Sequence, residues 1–355
     1  MKILFDTYIY KLQITGGINR YIAEIISGLP ENFHPFLFKK IERKLCVPKH
    51  PHLKNFWMPI DTRFSPFFMQ WKLKSMDIVH PSYYQIYSSL SWDKMPCKVV
   101  ITVHDLIMMR FADRYEKSSK VISAQKAAIK RADHIICISH STRNDLLEKF
   151  PECEERSSVI HLASSLPQPD GSFSNPFDKR YFLFVGARSF YKNFELTARA
   201  FALLYQKYSD LQLVVVGGSF NEEENKLIHG LGISDGVKLV KHPDDSELAL
   251  LYKYSEALIY PSEYEGFGLP PLEAMKMGVP VIALNISSLP EVIGAGGILI
   301  DPEKASPYLL AEAAESLLTS ESLCKRLSAA ALQQESQFSW KKTVDKTVDV
   351  YNELQ

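Results

Sequence analysis

Short apolar runs rich in β-branched residues alternate with longer amphipathic segments, and this alternation most limits what the chain can fold into. The first half contains the runs KILF, HPFLF, MDIVH, KVVITV, DHIICI and SVIH. The second half contains YFLFV, LQLVVV, VKLV, EALIY, VPVIA and GILI, with helix-like segments at 191–209, 246–254 and 306–318. Buried strands that alternate with helices predict an α/β protein whose parallel sheets carry helices on both faces.

The length of 355 residues exceeds what one hydrophobic core usually fills. The segment HLASSLPQPDGSFSNPFDKR lacks periodicity and accumulates Ser, Pro, Asp and Gly, so it is interpreted as a linker. We predict two doubly wound domains, 1–165 and 176–338, that face a deep cleft. We also predict that a closing helix, 339–355, packs back on the first domain.

Composition excludes several classes of protein. Lys plus Arg and Asp plus Glu number 41 each, so the chain has no overall charge with which to attract nucleic acid. The five cysteines are scattered without a C-x-x-C pair, which indicates neither a disulfide framework nor a metal site. No apolar run has the length of a signal peptide core or of a membrane span. We therefore expect a cytoplasmic protein.

Two glutamates, Glu265 and Glu273, flank a strand-to-helix turn in the stretch EYEGFGLPPLEAMKMG. The prolines and the final glycine predict a helix that starts near residue 271 and places Glu273 in its first turn. Backbone amides at the start of such a helix favour an anion such as a pyrophosphate. They belong to Gly266, Phe267, Gly268 and Leu269. The flanking carboxylates would then accept hydrogen bonds from hydroxyl groups on either side, as a nucleotide sugar requires.

Other loops that follow strands carry further candidates. Gly186, Arg188 and Lys192 follow the run YFLFV, and the two cations are expected to converge on one diphosphate. Gly16 and Gly17 form a second amide-rich turn before a helix.

Helix capping signals occur at two further turns. After the run VKLV, Asp245 or Ser246 is the expected cap of the next helix. The spacing Ser288-x-x-Glu291 predicts a capping box, so Glu291 is given a structural role.

Taken together, these segments resemble the retaining glycosyltransferases of family four, which have the two-domain GT-B fold. The resemblance rests on TGGINRYIAEI, TVHDLI, ADHIICISHSTRNDL, FVGARSFYKN, the E-x7-E turn and SSLPEVIGAGGILIDP, which occur in the family's order. Within the family the chain is most similar to a branch of mannosyltransferases that build bacterial surface polysaccharide such as O-antigen or capsule.

The resemblance implies a role for each candidate. His104 would lie against the transferred sugar, and Glu265, Arg188 and Lys192 would complete the catalytic group. Donor binding would involve these residues and others, namely Gly16, Gly17, Gly186, His242, Pro243, Gly266, Phe267, Gly268, Leu269 and Glu273. Of these, His242 and Pro243 would meet the nucleobase through backbone groups.

The implied reaction moves mannose from GDP-mannose to a lipid-linked saccharide with retention of configuration and without a metal or other cofactor. Other donors stay open, namely UDP-sugars and GDP-fucose. A different class also stays open, a non-catalytic GT-B scaffold or activator.

Residues 39–76 form a basic and aromatic stretch that suits an anionic membrane surface. Its aromatic residues also suit a domain core with lysines at the rim. A peripheral position at the inner face of the plasma membrane is therefore one of two interpretations.

Overall fold

The computed structural model describes residues 1–12, 16–39, 48–57, 70–85, 91–114, 118–169 and 174–355. The chain forms two compact units. The first consists of Met1–Ala163 together with Ser339–Gln355, and the second of Ser164–Phe338. Each unit is built around its own parallel sheet.

The strands of the first unit are β1 (Lys2–Asp6), β2 (His34–Lys39), β3 (Lys54–Trp57), β4 (Ile78–Val79), β5 (Lys98–Val103), β6 (His134–Cys137) and β7 (Ser157–Val159). Its helices are α1 (Ile9–Leu12), α2 (Gly17–Gly28), α3 (described over 70–73), α4 (Ile107–Arg110), α5 (Ser118–Arg131), α6 (His140–Lys149) and α14 (Trp340–Glu353).

The strands of the second unit are β8 (Tyr181–Val185), β9 (Gln212–Val216), β10 (Val237–Val240), β11 (Leu258–Tyr260), β12 (Val281–Leu284) and β13 (Gly297–Ile300). Its helices are α7 (Phe194–Lys207), α8 (Glu222–Gly230), α9 (Asp245–Lys253), α10 (Leu269–Lys276), α11 (Leu289–Ile293), α12 (Pro307–Thr319) and α13 (Glu321–Glu335).

The six strands of the second sheet follow the same order as the first six strands of the first sheet. The first runs β3-β2-β1-β4-β5-β6-β7, and the second runs β10-β9-β8-β11-β12-β13. This order reverses between β1 and β4 in one unit and between β8 and β11 in the other. In doubly wound sheets, ligands bind beyond the carboxyl ends of the strands at such a reversal. The loops that follow β8 and β11 are therefore the first place to look for a site in the second unit.

The predicted α/β class with two Rossmann-like parallel-sheet units is confirmed. The central strands are buried along their whole length, as in β8 and β9, which explains why they appear in the sequence as continuous apolar runs. Strand β3 was not predicted. It has only four residues, KNFW, lies at the edge of its sheet and contains no β-branched residue.

Helix α14 belongs to the first unit, where it packs against α2. Its buried face consists of Thr343, Val344, Thr347, Val350 and Tyr351. Two of these side chains are threonines, so the face that meets the first unit is partly polar.

Candidate functional site

Lys192 and Glu265 meet where the strand order of the second sheet reverses. Lys192 follows β8, Glu265 follows β11, and Lys192 Nζ lies 2.6 Å from Glu265 Oε1. Lys192 also donates to the hydroxyl of Tyr260, the last residue of β11, over 2.8 Å. The lysine and glutamate side chains are only 13% and 11% exposed. The structure therefore has a nearly buried ion pair at the carboxyl ends of the central strands β8 and β11.

Lys192 stays charged in this setting. Burial alone would lower the pKa of Lys192, but the charges of Glu265 and Tyr260 and hydrogen bonds to both outweigh it, so the pKa is raised. An ammonium group has three N–H donors, and Glu265 and Tyr260 take two. Among the residues that the structure describes, the third donor has no hydrogen-bond partner.

Arg188 has a different carboxylate partner. Its Nε donates to Glu224 Oε1 over 2.9 Å, and its Nη2 donates to the carbonyls of Gly218 and Ser219 over 3.0 and 2.8 Å. The guanidinium also lies over the Phe220 ring, at 4.8 Å from its centroid. The two cations predicted to converge on one diphosphate thus pair with separate acids, and their joint role in donor binding stays a prediction.

One nitrogen of Arg188 is not satisfied. Among the described residues, Nη1 is buried and has no hydrogen-bond partner. A Cβ built on Gly217 would lie 2.8 Å from this nitrogen and 2.8 Å from the carbonyl oxygen of Gly186. Gly186 itself has a φ of 130° and open space beside it. The turns after β8 and β9 therefore approach each other closely because both have glycine there.

Glu273 lies on α10 and is held by a buried tyrosine. The hydroxyl of Tyr252, on α9, donates to Glu273 Oε2 over 2.9 Å. Burial, and then the charge of Glu273, raise the pKa of Tyr252 well above its usual value. Because α10 begins at Leu269 rather than near residue 271, Glu273 falls in the second turn of the helix, and its predicted place in the first turn was wrong.

The loop between the two glutamates is fixed by two serines that the sequence did not indicate as partners. Ser287 Oγ accepts from the backbone N–H of Glu265 over 2.9 Å. Ser288 Oγ donates to the carbonyls of Glu265 and Phe267 over 2.9 and 2.8 Å. Gly268 caps α10 with a φ of 110°, a conformation that favours glycine.

The capping box predicted at Ser288-x-x-Glu291 is wrong. Ser288 does precede α11, but its hydroxyl makes no cap hydrogen bond because it is used by the neighbouring loop.

The loop proposed to meet the nucleobase has an unusual backbone. His242 is exposed and has a φ of 50°, which is uncommon for a residue other than glycine. The cap of α9 is Asp244, not the predicted Asp245 or Ser246. Asp244 Oδ1 accepts from the N–H groups of Ser246 and Glu247, both over 2.8 Å. This capping box fixes the helix start directly after Pro243.

In the first unit, His104 lies at the carboxyl end of a strand, and the two predicted glycines lie at a helix start. Gly16 precedes α2 and Gly17 is its first residue. His104 follows β5, is buried, and packs edge-on against Tyr21 with ring centroids 5.3 Å apart. Burial lowers the pKa of His104 to about 3, so its imidazole is neutral.

The basic and aromatic stretch 39–76 lies largely outside the described residues. Of its described side chains, Trp71 is 67% exposed, and Lys72 lies 5.7 Å from the centroid of its ring. The membrane interpretation stays a prediction. Within the part of the chain that the structure describes, no helix has both the length and the apolar character that a membrane span requires.

Tyr252, Tyr260, Glu224, Ser287 and Ser288 were missed as site residues. Tyr252 and Tyr260 lie in segments that were interpreted as a helix and a strand, Ser288 was interpreted as a helix cap, and Glu224 and Ser287 were given no role. Tyr260 is the one with a usable signal, because it is the last residue of the strand-like run EALIY, which precedes Glu265.

Comparisons with known proteins give the family of the chain. Residues 15–163 match the family described as Glycosyltransferase Family 4, and residues 170–334 match Glycosyl transferases group 1. Over 286 residues the chain is 28% identical to the serotype-specific mannosyltransferase WbdA of Escherichia coli. That alignment covers 75% of this chain but 35% of WbdA, so the chain spans about a third of that relative.

A second relative is closer in length, and a solved structure shares the fold. The O-antigen chain mannosyltransferase B of Escherichia coli is 28% identical over 275 residues, which cover 72% of this chain and 71% of that protein. The crystal structure of Anabaena HepE in complex with UDP-glucose has a TM-score of 0.78 at 16% identity and covers 99% and 100% of the two chains. By the family matches to its two halves and by its fold, the chain belongs to the glycosyltransferases of the GT-B architecture.

Proposed function

We propose that this protein transfers mannose from GDP-mannose to a lipid-linked saccharide during synthesis of a bacterial surface polysaccharide, an O-antigen or a capsule. The names of WbdA and of O-antigen chain mannosyltransferase B support the sugar and the pathway class. The ion pair of Lys192 and Glu265 at the strand-order reversal supports a donor site in the second unit.

The observation that carries the proposal is the triad of Lys192, Glu265 and Tyr260. A permanently charged ammonium is fixed at the carboxyl end of the sheet, with one N–H donor uncommitted. Such a group stabilises the negative charge that develops on a departing nucleoside diphosphate, and it is worth most where water is excluded. The start of α10, which follows Glu265, offers backbone amides to the same anion.

The proposed reaction proceeds with retention. The bond between the anomeric carbon and the diphosphate oxygen breaks, and the acceptor oxygen forms its bond on the same face of the sugar. The acceptor's proton passes to the leaving diphosphate. Glu265 accepts a hydrogen bond from a sugar hydroxyl and Glu273 from a ribose hydroxyl, while neutral His104 supports the positive charge that develops at the anomeric carbon.

Metal independence is part of the proposal. Lys192 and the α10 helix start supply positive electrostatic potential, and Arg188 adds a second cation whose Nη1 has no partner among the described residues. These groups take the place that a divalent cation has in other nucleotide-sugar enzymes. Activity is therefore expected to persist in EDTA.

The donor base is the least constrained part of the proposal. HepE was crystallised with UDP-glucose, and this favours UDP-sugars as the second candidate donors. GDP-fucose is a third. A non-catalytic scaffold is the alternative of a different class, and it predicts binding without turnover.

A donor panel tests the proposal. The protein is incubated in EDTA with GDP-mannose, GDP-fucose, UDP-glucose and UDP-N-acetylglucosamine, and release of nucleoside diphosphate is measured. We expect release from GDP-mannose and a decrease of about 100-fold in Glu265→Gln. The matched control is Glu263→Gln, an acid on the same loop outside the ion pair, which is expected to keep the parent rate. Absence of release from every donor, or an unchanged rate in Glu265→Gln, would overturn the proposal.

A further inference from the structure

Three residues other than glycine have a left-handed backbone in the part of the chain that the structure describes. They are Asn193, His242 and Ser287, with φ values of 55°, 50° and 50°. Each lies in a loop between a strand of the second sheet and the helix that follows it, namely β8 and α7, β10 and α9, and β12 and α11. In a parallel sheet these loops share one edge. The backbone strain therefore lies at the edge that carries Lys192 and Glu265.

Ser287 is the least expected of the three. Asparagine and histidine are enriched in the left-handed region and serine is not, while glycine would adopt the same φ without a penalty. A strained residue of this kind persists only where the surrounding structure imposes it, and such residues cluster at functional sites. A serine at this position therefore indicates a function for its hydroxyl group.

The hydroxyl of Ser287 binds the backbone of Glu265. Its Oγ accepts from the N–H of Glu265 over 2.9 Å, and the direction is certain because an N–H can only donate. The neighbouring Ser288 Oγ donates to the carbonyl of Glu265 over 2.9 Å. The loop between β12 and α11 thus binds Glu265 on both sides of its Cα, which fixes where the residue lies.

The side chain of Glu265 is fixed as well. Lys192 Nζ donates to Glu265 Oε1 over 2.6 Å, and the same nitrogen donates to the hydroxyl of Tyr260 over 2.8 Å. The Glu265 side chain is only 11% exposed. A shift of the main chain at Glu265 would therefore move the carboxylate against Lys192 and change the geometry of the ion pair.

We propose that Ser287 is a positioning residue for Glu265, and that its left-handed backbone serves to bring Oγ to the N–H of that glutamate. Ser287 itself is assigned no contact with substrate. The use of Glu265 in sugar transfer rests on the proposed function, whereas the hydrogen bond and the strain do not.

Substitution by glycine and by alanine separates the strain from the hydroxyl group. Both variants lack the hydroxyl, but Ser287→Ala keeps a side chain in the left-handed region, so we expect Ser287→Gly to have the higher urea midpoint. Ser316, inside α12, is the control, because within a helix glycine is less favourable than alanine and the order should be reversed. Circular dichroism follows the unfolding. A higher midpoint in Ser287→Ala than in Ser287→Gly would overturn the proposal.

Amide hydrogen exchange tests the hydrogen bond without any turnover. The N–H of Glu265 loses its acceptor in both Ser287 variants, so its exchange, measured by nuclear magnetic resonance of ¹⁵N-labelled protein, is expected to quicken about tenfold. The N–H of Leu323, which donates to Ser320 Oγ over 3.3 Å, is an internal control and should exchange at the parent rate. Unchanged exchange at Glu265 would also overturn the proposal.

Kinetics tests the positioning of Glu265. We expect kcat to fall about tenfold in Ser287→Ala and Ser287→Gly alike, with KM for the donor unchanged, because a displaced side chain acts mainly on the transition state. Ser316→Ala should keep the parent kcat. A merely structural role predicts instead that kcat follows stability, so a parent kcat in the more stable Ser287→Gly would contradict positioning. A parent that is inactive with every donor would contradict the proposed function alone, since the exchange and urea measurements decide the hydrogen bond and the strain independently.

Discussion

At the scale of single residues, Glu265 and Glu273, which flank the turn between β11 and α10, are held by different means. Glu265 is paired with a charged lysine, whereas Glu273 accepts from the neutral hydroxyl of Tyr252. A neutral donor orients a carboxylate without neutralising its charge. Under the proposed function, Tyr252 would thus set the orientation in which Glu273 meets a ribose hydroxyl.

Removal of the Tyr252 hydroxyl tests this arrangement. Tyr252→Phe deletes the 2.9 Å hydrogen bond to Glu273 Oε2 and so removes one constraint on the orientation of that carboxylate. We expect the Kd for the nucleoside diphosphate released in the donor panel to rise about three- to tenfold. Isothermal titration calorimetry measures it.

The control for this variant is Tyr181→Phe. Tyr181 is also fully buried, and its hydroxyl donates to the carbonyl of Leu251 over 2.8 Å. We expect a comparable loss of stability with no change in Kd. If Tyr252→Phe and Tyr181→Phe bind as the parent does, Tyr252 has no part in donor binding.

The sequence identified residue types at the site better than their partners. Glu265 and Lys192 were both predicted for a donor site, because a strand-to-helix turn with glycines and charged residues is recognisable locally. Their pairing with each other was not predicted. It depends on β8 lying next to β11, and the strands that separate them in sequence carry no sign of that neighbour. The pairing of Arg188 with Glu224 depends instead on β8 lying next to β9, the strand that follows it in the sequence.

At the scale of helices and loops, the sequence misplaced the caps. Asp244, Asp245 and Ser246 are consecutive and all have cap-forming side chains. The choice falls on Asp244 because that residue is extended, with a φ of −72° and a ψ of 174°, two residues after the left-handed His242. The backbone conformation after β10 therefore decides which of the three residues caps α9.

The Asp244 cap is expected to affect both stability and donor binding. Asp244→Ala removes two cap hydrogen bonds from α9 and should lower the free energy of unfolding by about 1 kcal/mol. It also releases the neighbouring loop, whose strained backbone at His242 persists only while its surroundings hold it. We therefore expect weaker binding of the nucleoside diphosphate in calorimetry.

Ser306→Ala separates the two effects. Ser306 caps α12 by accepting from the N–H of Leu309 over 3.2 Å, and it has no proposed role in donor binding. Its loss should reduce stability by a similar amount while the affinity is kept. Equal affinities in Asp244→Ala and Ser306→Ala would show that the 241–247 loop does not contact the nucleotide.

At the scale of the whole molecule, burial shifts the pKa values of different titratable groups in the two units. In the first unit, burial lowers the pKa of His80 and of His104 to about 3, from an ordinary value of 6.5. Burial raises the pKa of Asp6 in the same unit to about 6, from 3.8. In the second unit, burial raises the pKa of the partly buried Glu256 and Glu335.

The signs of these shifts predict acid sensitivity of the first unit. Between about pH 6 and pH 4 the unfolded state carries a proton on each of the two histidines, whereas the folded state carries one on Asp6 and none on the histidines. For these three groups together, the unfolded state thus binds one more proton than the folded state, and they lower stability by about 1.4 kcal/mol per pH unit as the pH is lowered through this range. The raised pKa values of Glu256 and Glu335 act in the opposite direction in the second unit.

Tryptophan fluorescence can isolate the first unit, because all four tryptophans, at 57, 71, 92 and 340, belong to it. Urea unfolding followed by fluorescence should show the predicted loss between pH 6 and pH 4. Asp6→Asn keeps an oxygen that accepts from Ser82 but removes the proton that offsets the histidines. Its pH slope should therefore approach twice that of the parent, about 2.7 kcal/mol per pH unit. A first unit that gains stability on acidification would show that the imidazoles of His80 and His104 are not held neutral. An unchanged slope in Asp6→Asn would show that the carboxyl group of Asp6 does not take up the offsetting proton in the folded state.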